Sequence, residues 1–318
     1  MSDAIYQTTF ENMPDMSVSI AGVRLRNPVI AASGTFGYGR EYSNLFDVSL
    51  LGGICTKGLT LIPRPGNSGE RIWETPCGLL NSIGIENPGI PSFIENELPF
   101  LRLLGPAVIA NLSGASSDEY INGAALLNES PVDMIEMNIS CPNVKAGGIA
   151  FGLDPGTAAA LTAAVRRVCL SKPLMVKLSP NAPSLAAVAL ACVNAGADAL
   201  SLVNTFRAMA IDTVNRRPVF ENISAGLSGP AIRPIALHLV WELFGALKDA
   251  KVQTPIVGIG GIACANDALE FLMAGASAVQ VGSATFVNPQ TMTGIIDGIQ
   301  KYMRDTGLSK LGEISIRS

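Results

Sequence analysis

The strongest constraint on this chain is a repeat of pattern rather than of sequence. A short apolar run rich in Val and Ile is followed by a polar or glycine-rich break and then by a helical stretch. The short runs are Val29–Ala32, Gly53–Thr56, Ala107–Asn111, Val132–Met137, Leu174–Leu178, Ala199–Val203, Ile256–Ile259 and Ala278–Val281. Near-continuous apolar runs of this length suit strands covered on both faces of a parallel sheet. Helical patterns lie around Glu41–Phe46, Ser92–Leu104, Ser117–Leu127, Pro155–Val168, Ser184–Asn194, Pro230–Lys248, Asn266–Met273 and Pro289–Arg304. Eight such pairs in 318 residues predict an α/β fold, a (β/α)8 (TIM) barrel, with a doubly wound open sheet as runner-up. No Gly-x-Gly-x-x-Gly follows the first strand, which counts against the open sheet. The chain has no linker, low-complexity tract or short-period repeat, so residues 1–318 are expected to form a single domain. Ser17–Leu25 reads as an N-terminal hairpin turning at Ala21–Gly22.

Composition removes several function classes. Only 15% of residues are charged and the mean hydropathy is +0.35, yet the most apolar stretch, Leu185–Val203, is broken by Asn194, Gly196 and Asp198. A bilayer span needs about 18–20 apolar residues in a row, which no stretch supplies. Met1–Asp15 is polar and lacks a basic-then-apolar signal pattern, so a soluble, cytoplasmic protein is expected. A net charge of −4 without basic clusters argues against a nucleic-acid surface. The six cysteines (Cys55, Cys77, Cys141, Cys169, Cys192, Cys264) form no Cys-x-x-Cys pair and read as reduced, mostly buried thiols. The single histidine, His238, lies in a helical pattern and reads as packed or half-exposed. Zinc clusters and histidine-dependent triads are thereby disfavoured, and acid–base chemistry falls to Cys, Lys, Tyr, Ser or a carboxylate.

In such a barrel active groups sit just after the strands. Those positions hold Ser33-Gly34, Lys57-Gly58, Asn111, Asn138 with Cys141 and Asn143, Lys177, Asn204-Thr205, Gly260-Gly261 and Gly282-Ser283. Any one of them alone is an ordinary polar strand end. Asn138-Ile139-Ser140-Cys141-Pro142-Asn143 is either an Asx/Pro turn with an inert thiol or a ligand edge with a proton-exchanging one. Gly258-Ile-Gly-Gly261 and Val281-Gly-Ser-Ala284 each lead towards a helix, and bare glycine N–H groups there suit a phosphate. Lys57 and Lys177 point to the same mouth, either to stabilise negative charge on a reduced flavin or to form a Schiff base. The two longest connections, Gly58 to Pro91 and Thr205 to Gly229, follow the second and sixth strands and fall at the same mouth.

Taken together, Ala32-Ser33-Gly34, Thr56-Lys57-Gly58, Leu80-Asn81-Ser82-Ile83-Gly84, Asn138 to Asn143, Val176-Lys177-Leu178, Val203-Asn204-Thr205 and the two glycine pairs resemble the catalytic subunit of class 1 dihydroorotate dehydrogenases. The resemblance covers essentially the whole chain. It implies flavin mononucleotide (FMN) on the barrel mouth, in contact with Ser33, Lys57, Gly58, Asn111, Asn138, Lys177, Val203, Gly229, Gly260, Gly261, Gly282 and Ser283. It further implies dihydroorotate held by Lys57, the Asn81-Ser82-Ile83-Gly84-Ile85 loop, Asn138, Asn143, Asn204 and Thr205. Cys141 matches the catalytic base, which takes a proton from ring carbon C5 while hydride leaves C6 for the flavin.

Met209-Ala-Ile-Asp212 and Gly226-Leu-Ser-Gly-Pro-Ala-Ile232 look like the NAD-linked branch of that family. That branch implies a homodimer core joined by an electron-transfer subunit carrying FAD and an iron–sulfur cluster, giving a heterotetramer. The alternative branch is a homodimer that passes electrons to fumarate. Two readings from other classes are a Schiff-base aldolase using Lys177 and a non-catalytic flavin-binding barrel. An excess of residues around Phe244 to Val252 departs from the family pattern.

Overall fold

All eight predicted strands form, and they close. In the computed structural model, which describes residues 13–140 and 151–316, the barrel strands are β1 (Val29–Ala31), β2 (Gly53–Cys55), β3 (Ala107–Leu112), β4 (Met134–Asn138), β5 (Leu174–Lys177), β6 (Ala199–Leu202), β7 (Ile256–Ile259) and β8 (Ala278–Val281). Each pairs in parallel with the next, and Val279 of β8 opposite Val29 of β1 completes the ring. The helices around it are α1 (Leu98–Leu104), α2 (Ser117–Glu129), α3 (Pro155–Arg166), α4 (Leu185–Asn194), α5 (Arg233–Asp249), α6 (Ala265–Met273) and α7 (Thr291–Thr306). Ser116, Asp154 and Ser184 cap α2, α3 and α4 by accepting from the N–H three residues on, the donors that a helix start leaves without partners. No helix among the described residues is long and apolar enough to cross a membrane.

One predicted helix does not form as such. Glu41–Phe46 is reduced to a 3-10 turn, Tyr42–Asn44, followed by a second at Val48–Leu50. The segment buries itself through rings instead of a helical face. Phe36 stacks on Tyr42 at 4.2 Å between centroids and tilts against Phe46 at 6.3 Å. The Phe244–Val252 excess forms the end of α5 and a left-handed Lys251 (φ 58°) that returns the chain towards β7. His238 is exposed on α5, 3.4 Å from Glu242. Of the described cysteines, Cys55, Cys169 and Cys192 are buried, whereas Cys77 and Cys264 are exposed.

The barrel interior is layered. The N-terminal hairpin pairs Val18–Ile20 with Val23–Leu25 through Ala21 and Gly22, both at positive φ as a type I′ turn demands. Its Ile20 and Leu25 pack with Ile30, Cys55, Ile109, Met134, Met175, Ala199, Val257 and Ala278, an apolar plug at the bottom. Two residues further along five strands the inward side chains turn polar: Asn111, Glu136, Lys177, Ser201 and Gln280, all buried. The mouth lies above them, beneath a roof. That roof is a four-stranded antiparallel sheet in the order Phe206–Ala208, Ala225–Ser228, Gly78–Asn81, Ile72–Thr75. The two longest connections therefore pair with each other, Gly226 opposite Asn81 and Leu227 opposite Leu80.

Candidate active site

The floor of the mouth is organised by one carboxylate. Glu136 on β4 is fully buried; its Oε1 accepts from Asn111 Nδ2 at 2.6 Å and Cys55 Sγ at 3.2 Å, and lies 3.7 Å from Lys177 Nζ. Its Oε2 accepts from Gln280 Nε2 at 2.7 Å and Ser201 Oγ at 2.8 Å. Burial alone would raise this carboxyl, but Lys177 and the Gln280, Cys55 and Ser201 donors outweigh it and hold the group below the usual carboxylate range. Cys55 responds the opposite way: burial first, then the Glu136 charge, pushes its thiol well above its ordinary value. Cys55 is thus a hydrogen-bond donor, not a thiolate.

Above this floor the lining is amide, hydroxyl and lysine. Asn111 spends its Nδ2 on Glu136, which leaves its Oδ1 without a partner among the described residues, and the buried Ser113 hydroxyl also lacks one. Both atoms lie beside Gly58, where an added Cβ would stand 3.2 Å from Asn111 Oδ1 and 3.5 Å from Ser113 Oγ. On the opposite side Asn138 Oδ1 accepts from Ser140 Oγ at 2.5 Å and from Asn204 Nδ2 at 3.3 Å, and Asn204 also donates to Ser140. Tyr120 fixes the Asn138 backbone by donating to its carbonyl at 2.6 Å.

The rim is glycine. Gly260 and Gly261 follow β7 at φ 135° and 71°, in the region that side-chain-bearing residues avoid. A Cβ on Gly261 would stand 2.7 Å from the Gly229 carbonyl and 3.0 Å from the Arg233 amide. The Arg233 guanidinium is engaged by Asp267. After β8, Gly282 and Ser283 open the short helix Ala284–Val287. The roof loop from Asn81 to Ile85 is pinned by Asn67, whose Nδ2 donates to the Ser82 carbonyl and hydroxyl, both at 3.0 Å.

These surfaces enclose one cavity of about 310 Å³. Ser33, Lys57, Gly58, Asn111, Asn138, Lys177, Val203, Gly229, Gly260, Gly261, Gly282 and Ser283 all line it, as do Asn81, Ser82, Ile83, Gly84, Ile85, Asn204 and Thr205. Cys141 and Asn143 lie outside the described residues; Ser140, just before them, lines the cavity. Sequence reasoning passed over Asn67, Ser113 and Arg207 on the same cavity, and, in the floor, Glu136, Ser201 and Gln280, although it named their neighbours Asn111 and Lys177. A signal for the floor exists: Asn111, Glu136, Lys177, Ser201 and Gln280 each stand two residues after an apolar inward residue.

The sequence model of the family described as dihydroorotate dehydrogenase matches residues 15–303. The chain is 56% identical over 302 residues to the protein of Petrotoga mobilis named dihydroorotate dehydrogenase B (NAD(+)), catalytic subunit, covering 95% of this chain and 99% of that one. Proteins of the same name from Geotalea daltonii (53%, covering 95% and 97%) and Caldicellulosiruptor bescii (49%, covering 94% and 98%) are similar over the same extent. The chain belongs to the dihydroorotate dehydrogenase family.

Proposed function

We propose that this protein is the FMN-dependent catalytic subunit that oxidises (S)-dihydroorotate to orotate in pyrimidine biosynthesis, in the NAD-linked branch. The carrying observation is the convergence of two lysines, three amides (Asn111, Asn138, Asn204) and a glycine rim on one cavity at the barrel mouth. The residues present fit a flavin nucleotide. Asn111 Oδ1 and the Ser113 hydroxyl offer unused hydrogen-bonding capacity to a flat polar edge. The close-packed backbone at Gly260 and Gly261 leaves no room for a side chain where a phosphate would approach. Ser33, Lys57, Gly58, Asn111, Asn138, Lys177, Val203, Gly229, Gly260, Gly261, Gly282 and Ser283 would hold the cofactor, which when bound supplies the hydride acceptor.

The chain's own residues then bind, orient and deprotonate. Lys57 fixes the substrate carboxylate, while Asn81, Asn138, Asn143, Asn204 and Thr205 meet the polar edges of its ring. Ser140 and Asn204, bonded to each other and to Asn138, keep those amides in register. Cys141 takes the proton from C5. The roof shields the reacting face from water. The whole chain acts as one FMN-binding barrel domain in the cytoplasm. Relatives named as NAD(+)-linked catalytic subunits support a separate partner subunit; by the family resemblance alone, that subunit would carry FAD and an iron–sulfur cluster and join a homodimer core.

The test is anaerobic reduction of the purified protein by dihydroorotate. A yellow protein bleached by substrate is expected. A colourless protein that still turns over dihydroorotate defeats the cofactor assignment, and a flavoprotein untouched by dihydroorotate defeats the substrate. NAD reduction should require the added partner subunit; fumarate reduction by the chain alone assigns it to the other branch.

A further inference from the structure

The closed barrel buries a carboxylate that neither substrate nor cofactor has to touch. Glu136 gathers side chains from five other strands, and two of them, Lys177 and Asn111, also line the cavity above. Stability alone accounts poorly for this arrangement, because a buried ion pair is commonly replaceable by apolar residues of equal volume. Gln280 even leaves its own Oε1 unpartnered among the described residues while its Nε2 serves Glu136. What a carboxylate does here and an apolar group cannot is fix the Lys177 ammonium and offset its charge, in surroundings where charges interact strongly.

We propose that Glu136 is a positioning residue for the flavin site: it sets Lys177 and Asn111 beneath the ring and offsets the Lys177 charge. It thereby keeps the reduction potential of the bound flavin below the value that Lys177 alone would impose. The inference rests on the flavin reading given above. Lys177 favours negative charge on the reduced ring, and Glu136 limits that preference.

The measurement is the potential of the bound flavin, from neutral to alkaline pH, in the wild type and E136Q. The substitution preserves shape. The Ser201 hydroxyl can turn, and Gln280 has a free Oε1 to accept from the new amide. In E136Q the two-electron equilibrium should move at least about tenfold towards reduced flavin, about 30 mV. A purely structural carboxylate leaves the potential at the wild-type value at every pH, which overturns the proposal. If E136Q fails to hold FMN, K177M is compared with K177M/E136Q at alkaline pH; the double variant leaves no buried charge of this pair unpaired. A more positive potential in the double variant supports the proposal, and equal potentials overturn it. Wild-type protein that carries no flavin overturns the underlying cofactor reading instead, and that result is in hand before any variant is made.

Discussion

Two lysines reach the same cavity from different surroundings, and their loss should read differently. Lys177 is 5% exposed with Glu136 beside it, whereas Lys57 stands half-buried in the wall with no carboxylate in ion-pair range among the described residues. Lys57→Ala is expected to lose substrate affinity and flavin reduction while the fold keeps its stability. Lys177→Ala should chiefly weaken flavin binding and destabilise the fold by about 3–5 kcal/mol, because Glu136 is left buried without its cation. Dihydroorotate titration and urea unfolding separate the two; equal effects on substrate binding contradict the division. Cys141 carries the sharpest expectation. Cys141→Ala should retain FMN and still bind orotate, yet reduce its flavin about 10²–10⁴-fold more slowly, the usual worth of a general base. Cys141→Ser should recover part of that rate, at higher pH, since its hydroxyl is far less acidic than a thiol. Stopped-flow reduction across pH decides, and a wild-type rate in Cys141→Ala assigns the base elsewhere. Ser140 is a weak substitute, because its hydroxyl already donates to Asn138 and accepts from Asn204.

Strands and helices were legible because each is a local pattern; the pairing of the two long connections into a roof and the gathering of Asn111 and Lys177 around Glu136 were not, because neither is local. Val, Ile and their neighbours announced all eight barrel strands to within two residues at either end. Glu41–Phe46 misled because six residues at helical spacing cannot distinguish one turn from a helix, and the Phe36–Tyr42 stack took over its burial. Glu136 sits in a strand predicted to be covered on both faces, yet its partners come from five other strands that only the closed barrel brings together. The rim glycines give an element-scale prediction. Gly261→Val should abolish stoichiometric FMN, since its φ of 71° and a Cβ 2.7 Å from the Gly229 carbonyl forbid the present backbone course. Gly294→Ala, in α7 with nothing within 4 Å of the added Cβ, should keep FMN. It should also stabilise the fold by about 0.5–1 kcal/mol, the helix penalty of glycine. Flavin absorbance per chain and thermal unfolding read both; retained FMN in Gly261→Val relocates the phosphate.

At the scale of the molecule, the buried thiols tie stability to alkaline pH. Burial pushes Cys192 from its ordinary 9.0 up to about 11, so the unfolded chain ionises first. The contribution is complete below pH 9.0 and is lost as pH rises through about 11. Cys192→Ala should therefore be less stable at neutral pH, by roughly 1 kcal/mol for a trimmed core side chain. It should nonetheless lose stability less steeply on the alkaline side, as urea midpoints against pH will show; parallel curves remove the thiol from the account. The roof has a consequence in time as well as in space. Apart from the β8–β1 closure, neighbouring barrel strands follow one another along the chain, whereas Asn81 and Gly226, bonded across the roof, are 145 residues apart. At a synthesis rate of about 5–20 residues per second, roughly 7–30 s pass between the two halves. Through that interval the nascent chain carries Gly78–Asn81 with one open edge, the kind of edge that pairs with the wrong strand. Chaperone demand during translation should accordingly fall in two steps, once when Ala225–Ser228 arrives to close the roof edge and again when β8 arrives to close the barrel on β1.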